Sequence, residues 1–383
     1  MKEIKRRNSL EEVPLPCQYF DLIGGTSTGG LIAIMLGRLR MVCPGPPRDV
    51  RGILIPQPVE DCIKRYTDLS RDVFNRDHVV FGVLPTGEKS ARFDASILER
   101  VVQTLVAEKL RDKDAKMAET SATGHTPCPT FVVTTSAAAA QSPPILFRSY
   151  NTEDNDADDC PIWKVARATS AAPSVFQPMY IEVPAPGAWY VDGGLRYNNP
   201  SQLALDEARQ IWPRVKRFTV VSIGTGRLSN VEFVNIKDSQ TPQKTSKNLL
   251  TPVWNRVPGV SAIKAIKNTP GGIKELANVG KACVAMSTNS EPTHEAMLKL
   301  ANATTDSQSR FPYYRFNVES GMDSIGLEEW KAIVRIGELT RQYMREEARK
   351  MEKKACVQCL IRPADVERTQ SLTSLLPLIM PIF

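Results

Sequence analysis

Tyr19-Phe20-Asp21-Leu22-Ile23-Gly24-Gly25-Thr26-Ser27-Thr28-Gly29-Gly30-Leu31-Ile32-Ala33-Ile34-Met35-Leu36 is the stretch on which the reading of this chain turns. An apolar run ends at Ile23, Gly25 to Gly29 follow with Ser27 at their centre, and a second apolar run begins at Leu31. That order predicts a strand, a tight turn and a buried helix. Glycines two residues either side of the serine permit a strained turn and a close helix approach, which holds the hydroxyl clear of the backbone. The start of the helix also aims unpaired N–H groups at any negative charge that forms beside the serine. The G-x-S-x-G pattern turns up by chance in roughly one chain in ten of this length. Its context therefore carries the argument, and strand before with apolar helix after is the setting of a serine that attacks acyl groups.

Outward from this turn, the pattern alternates. A proline-rich connection, Cys43-Pro44-Gly45-Pro46-Pro47, leads to a predicted helix over Asp61 to Phe74. A second helix follows Asp94, a good N-cap residue, with Ile97, Leu98, Val101, Val102, Leu105 and Val106 on one stripe. After a polar loop from Lys113 to Pro129 come predicted strands at Thr130–Thr135, Ile145–Tyr150 and Trp189–Val191, the last ending at Asp192-Gly193-Gly194. Pro200 opens a helix through Trp212, and Phe218–Ile223 is a strand closed by Gly224-Thr225-Gly226. Strands alternating with helices predict an α/β fold with a mostly parallel sheet. Further on, Ser229 to Asn248 reads as a polar loop, Leu327 to Lys354 as a helix, and the closing residues as a poorly anchored tail.

Composition narrows the classes. The chain has 383 residues, enough for one large domain or two modest ones, with 49 Lys+Arg against 42 Asp+Glu and a net charge of +7. This mild basic excess is compatible with an anionic membrane surface, and the lack of an aromatic-interleaved basic patch argues against nucleic acid. Arg256 to Lys281, with Lys264, Lys267 and Lys274 against Glu275, reads as a solvated face before it reads as a lipid contact. The N-terminus, Met1-Lys2-Glu3-Ile4-Lys5-Arg6-Arg7, lacks the apolar stretch of a signal peptide, and no apolar run is long enough to span a bilayer. Eight irregularly spaced cysteines suit reduced thiols and a cytoplasmic location, and the lone Cys356/Cys359 pair makes no zinc site. Asp154, Asp156 and Asp158 start like a calcium loop, but Asp159 stands where glycine is required and Val165 where glutamate is, so they read as an acidic surface loop.

A serine hydroxyl needs a base. Of three histidines, His78 and His125 read as surface residues, and His294 as part of the first turn of a polar helix. The order Ser27, Asp192, His294 matches α/β-hydrolase triads, yet those place several strands before the nucleophile and only 26 residues precede Ser27 here. The alternative is a carboxylate acting directly. Asp192 ends a strand and is followed by two glycines that let backbone come close; partial desolvation would raise its proton affinity. Read by themselves, Asp192, Gly193 and Gly194 are equally compatible with a simple turn.

Gly-Thr-Ser-Thr-Gly followed far downstream by Asp-Gly-Gly resembles the patatin-like phospholipases, lipid acyl hydrolases with a Ser–Asp dyad. Asp21-Leu22-Ile23-Gly24, Arg167-Ala168-Thr169-Ser170-Ala171-Ala172-Pro173, Asn198-Asn199-Pro200 and Ser222-Ile223-Gly224-Thr225-Gly226 extend the resemblance over residues 17 to 226. It implies a three-layer α/β/α sandwich, Ser27 as nucleophile, Asp192 as proton acceptor, no cofactor and no metal. A lipid substrate follows from it, met at a peripheral membrane or lipid-droplet surface. Ser170 reads as packing near the turn. The implied organisation is a patatin-like domain over 1–226, a largely helical extension over 227–355 and a tail over 356–383.

One family feature is absent from the sequence. The glycine-rich Asp-Gly-Gly-Gly-x-Arg-Gly loop, on the strand before the nucleophile, supplies the oxyanion hole in the family. Here no glycine precedes Gly24, and the look-alike Pro270-Gly271-Gly272-Ile273-Lys274 lies on the wrong side of Ser27. Losing one oxyanion donor costs about 10² to 10³ in rate; the Thr28 N–H is one donor still available. The expectation is an incomplete version of a longer protein, with a sheet edge exposed beside Ser27's strand. Two alternatives stay open, a catalytically impaired lipid-binding or scaffold protein and a Ser-His-Asp esterase using His294.

Overall fold

Leu22 and Ile23 of strand β1 (Leu22–Thr26) are both fully buried, and they point to opposite faces of a sheet, as successive residues of any strand must. The same pairing recurs at Phe131 and Val132, Val220 and Val221, and Ile379 and Met380, so the sheet is covered on both sides. Continuously apolar strands of this kind belong to a sheet buried between two layers. The computed structural model describes residues 1–41, 58–75, 93–119, 128–138, 143–154, 156, 158–173, 175–183, 186–215, 218–227, 290–302, 311–322, 325–326, 329–361 and 377–383.

In chain order, α1 (Lys2–Arg7) and the single turn α2 (Pro16–Tyr19) precede β1, and α3 (Thr28–Ala33) follows it, continuing as a π-helical turn over Ile34–Arg38. Helices α4 (Pro58–Val73) and α5 (Ala95–Leu110) come next, then β2 (Thr130–Ser136), β3 (Ile145–Arg148) and α6 (Ile162–Thr169). Strands β4 (Met179–Ile181) and β5 (Ala188–Asp192) lead to α7 (Gly194–Tyr197), α8 (Ser201–Ile211) and β6 (Thr219–Ile223). After residue 290 come α9 (Glu291–Asn302), β7 (Tyr313–Phe316), a 3₁₀ turn at Trp330–Ala332, α10 (Ile333–Tyr343), α11 (Glu347–Leu360) and β8 (Leu378–Ile382). The strands form one sheet in the order β4-β5-β2-β1-β8-β6-β7, with β3 also paired to β2. β2, β1, β8, β6 and β7 are mutually parallel, while β3 and β5 run antiparallel to β2.

One apolar layer carries Ile23, Val132, Val221 and Met380 against α3, α4, α5, α6 and α11. The other carries Leu22, Phe131, Val133, Val220 and Ile379 against α8 and α9. Helix, sheet and helix thus make the three-layer α/β/α sandwich. Asp94 caps α5 by accepting the Ser96 N–H at 2.9 Å, the role its sequence position predicts.

Two expectations about the sheet do not hold in the described residues. The tail expected over 356–383 is anchored: Cys356, Val357 and Leu360 of α11 pack in the core, and all five residues of β8 are buried at the centre of the sheet. The edge expected beside β1 is therefore covered, because β8 pairs with β1 on one side and β6 on the other. Asp21 locks this junction, its N–H reaching the Leu378 carbonyl and its carboxylate accepting the Leu378 N–H, both at 2.8 Å. The single helix expected over 327–354 is instead the 3₁₀ turn, α10 and α11, broken between Tyr343 and Glu347. The loop at 229–248, the basic stretch 256–281, His78 and His125 lie outside the described residues. Among the described residues, no helix is long and apolar enough to cross a membrane.

Candidate active site

Ser27 sits where β1 turns into α3, with φ +55° and ψ −125°, a conformation that side-chain-bearing residues rarely adopt. The turn is tight because its glycines let backbones touch. A Cβ at Gly25 would lie 2.0 Å from the Gly29 carbonyl oxygen, and one at Gly29 would lie 2.2 Å from the Ile382 carbonyl oxygen of β8. Any larger residue would push α3 away from the sheet. Two hydroxyls hold the strained turn in place. Thr169, fully buried at the end of α6, accepts the Ser27 N–H at 2.8 Å and donates to the Val133 carbonyl of β2 at 2.8 Å. Thr26 donates to the Tyr197 carbonyl at 2.8 Å.

Strand register brings Asp192 to the same place. Thr26 pairs with Val133 of β2, and Asp192 pairs with Thr134, the next residue along β2. β5 runs antiparallel here, so Asp192 arrives through register and not through a shared strand direction. The Ser27 hydroxyl donates to Asp192 Oδ2 at 2.6 Å, and Asp192 Oδ1 accepts the Gly194 N–H at 2.7 Å. A Cβ at Gly193 would lie 2.5 Å from the Val133 carbonyl oxygen, which explains the glycine that follows the aspartate. Burial pushes the Asp192 carboxyl up to about 6 from an ordinary 3.8, against the opposing pull of the Ser27 hydroxyl and the Gly194 N–H. A carboxylate so held is basic enough to take a proton near neutral pH.

A small, largely apolar cavity opens at Ser27, walled by Leu31, Leu69, Val73, Leu98 and Phe176 among others. Its polar groups include Thr28 and Tyr66, whose hydroxyls lie 3.1 Å apart. Burial raises the Tyr66 phenol above its ordinary value, so it stays protonated. An apolar cavity ending at a hydroxyl–carboxylate pair can receive an acyl chain with its carbonyl at the serine.

Of the residues predicted for the site, Gly25, Thr26, Ser27, Thr28 and Gly29 form the turn, and Asp192, Gly193 and Gly194 meet it. His294 lies elsewhere, on α9, with Nδ1 3.1 Å from the Tyr313 hydroxyl, and burial lowers its proton affinity. Asp158 of the acidic loop accepts the Arg148 N–H at 2.7 Å, a structural use. Cys356 and Cys359 are free thiols, the latter 3.2 Å from the Tyr314 hydroxyl. Sequence reasoning missed the clamping role of Thr169 and the presence of Tyr66; the first lay inside a quoted motif, the second had no signal.

The patatin-like phospholipase family model matches residues 8–205, more than half of the chain and all of the site. The chain belongs to the patatin-like phospholipase family. It is 30% identical over 235 residues to calcium-independent phospholipase A2-gamma of Mus musculus, covering 59% of this chain and 26% of that protein. It is 27% identical over 240 residues to patatin-like protein 2 of Arabidopsis thaliana, covering 57% and 53%. A further Arabidopsis relative, 28% identical over 220 residues with 54% and 50% covered, is named probable inactive patatin-like protein 9. The matched stretch spans about a quarter of the length of the phospholipase A2-gamma relatives. Membership assigns the fold and, at family level, phospholipase and ester-hydrolase chemistry on lipids.

Proposed function

We propose that this chain hydrolyses acyl esters of phospholipids or neutral lipids through a Ser27–Asp192 dyad. The observation that carries the reading is the 2.6 Å hydrogen bond from a strained, turn-apex serine to a buried carboxylate of raised proton affinity. Ser27 Oγ attacks the ester carbonyl carbon while its proton passes to Asp192 Oδ2. The tetrahedral intermediate collapses, the C–O bond to the leaving alcohol breaks, and Asp192 returns the proton to that alcohol. Water then attacks the Ser27 acyl ester and gives a proton to Asp192. Collapse of the second intermediate releases the fatty acid, and the proton returns to Ser27. The Thr28 N–H, at the first helical position where no intrahelical acceptor exists, supports the developing oxyanion. The substrate is drawn from a lipid surface that the chain meets peripherally in the cytoplasm.

A second reading has its own support. A relative whose name calls it probably inactive favours an impaired lipid-binding protein on the same fold. Turnover of phospholipid in mixed micelles separates the two. The hydrolase reading expects fatty acid release that Ser27→Ala abolishes; lipid binding without release, unchanged in Ser27→Ala, supports the second.

A further inference from the structure

Ser170 closes α6, and the residues on either side of it each hold one member of the Ser27–Asp192 pair. Thr169 accepts the Ser27 N–H at 2.8 Å, and the Ala171 carbonyl accepts the Asp192 N–H at 3.1 Å. Ser170 lines the same cavity as Ser27 and Thr28. Its hydroxyl oxygen is out of solvent and bonds none of the described residues. Buried hydroxyls are normally paired, and a lone one asks for an explanation. The other hydroxyls around the turn are engaged: Thr169 with Val133, Thr26 with Tyr197, Thr28 with Tyr66 and Ser27 with Asp192. Ser170 thus carries an unpartnered hydroxyl on a residue that lines the apolar cavity beside Ser27, with its backbone tied at both flanks.

Resting on the dyad reading above, we propose that Ser170 is a further catalytic residue, whose hydroxyl donates a hydrogen bond to the ester carbonyl oxygen as it becomes an oxyanion. A neutral hydroxyl carries no charge to desolvate in the resting cavity. Its dipole gains most when negative charge develops nearby in apolar surroundings, so it favours the transition state over the ground state. Because its flanks are fixed, rotation about the Ser170 Cα–Cβ bond is the one movement needed to turn the hydroxyl from its buried position toward the cavity. Ser170 thereby supplies a side-chain donor beside the Thr28 backbone N–H.

The test is steady-state hydrolysis of a short-chain p-nitrophenyl ester by the full chain and by Ser170→Ala, Ser170→Cys and Ser170→Thr. A second readout is affinity for an alkyl trifluoromethyl ketone, which forms a tetrahedral adduct on Ser27. Ser170→Ala is expected to lose about 10²-fold in kcat with KM within about twofold, and to weaken the ketone by a similar factor. Ser170→Thr restores most of both. Ser170→Cys, close in size but a weak donor, matches alanine and serves if the alanine variant does not fold. A kcat for Ser170→Ala within about threefold of the parent overturns the proposal, as does a loss that threonine does not rescue. Those outcomes leave the dyad standing. A parent chain that neither turns over ester nor binds the ketone brings down the dyad reading and this role with it.

Discussion

Burial raises the proton affinity of Asp192, while the Ser27 hydroxyl and the Gly194 N–H pull the other way, and the balance stands at about 6. Two consequences follow at this residue. Under the proposed dyad Asp192 must be ionised to act as base, so kcat/KM is expected to rise with pH through about 6 and level off above 7. Stability moves oppositely. Between about 4 and 6 the folded chain keeps a proton that the unfolded chain has lost, so stability falls as pH rises through that window. Above it the full burden applies, at most about 3 kcal/mol at 1.36 kcal/mol per pKa unit. Asp192→Asn should therefore melt higher than the parent at pH 7.5, lose that advantage near pH 4 and be inactive throughout; melting curves at the two pH values check the sign. Thr169 is the other residue to test. Thr169→Val keeps the shape but removes the acceptor for the Ser27 N–H and the donor to Val133. A stability loss of about 1–3 kcal/mol is expected by denaturant titration, with a larger proportional fall in kcat than rise in KM.

At the scale of elements, the turn and the strand beside it behave differently as sequence. β1 and α3 are local, and their glycines announce both the turn and the close packing, so fold class and candidate nucleophile are legible together. Asp192 was legible through the Asp-Gly-Gly that follows it, once read jointly with the serine turn. Thr169 and Tyr66 carry no local signature, because a threonine at a helix end and a tyrosine on a helix face are ordinary residues until their partners are known. β8 was hidden for a stronger reason. Pro377 and Pro381 interrupt its apolar run, proline is disfavoured within central strands, and its partners Leu22–Gly25 lie more than 350 positions away. Its place in the sheet nonetheless makes a sharp prediction. Ile379 is fully buried against the α8 and α9 layer, so Ile379→Ala should cost about 2–5 kcal/mol in denaturant titration. The same substitution at exposed Val334 should cost far less.

Among the described residues the strands form one sheet, drawn from early and late stretches of the sequence. The family model covers residues 8–205, yet β6, β7 and β8 lie beyond that span and complete the parallel half of the sheet. The carbonyl of Ile382 lies against Gly29, so the Ser27 turn packs directly on a strand beyond the span of the family model. The geometry around Ser27 thus depends on β8 as well as on the span of the family model, and activity should be sought in the full chain. The most direct measurement is covalent labelling of the purified full chain with a fluorophosphonate probe, beside Ser27→Ala and Asp192→Asn. The account predicts labelling of the parent, none in Ser27→Ala and strongly slowed labelling in Asp192→Asn. A folded parent chain that takes no label, or a Ser27→Ala variant that takes as much as the parent, would contradict it.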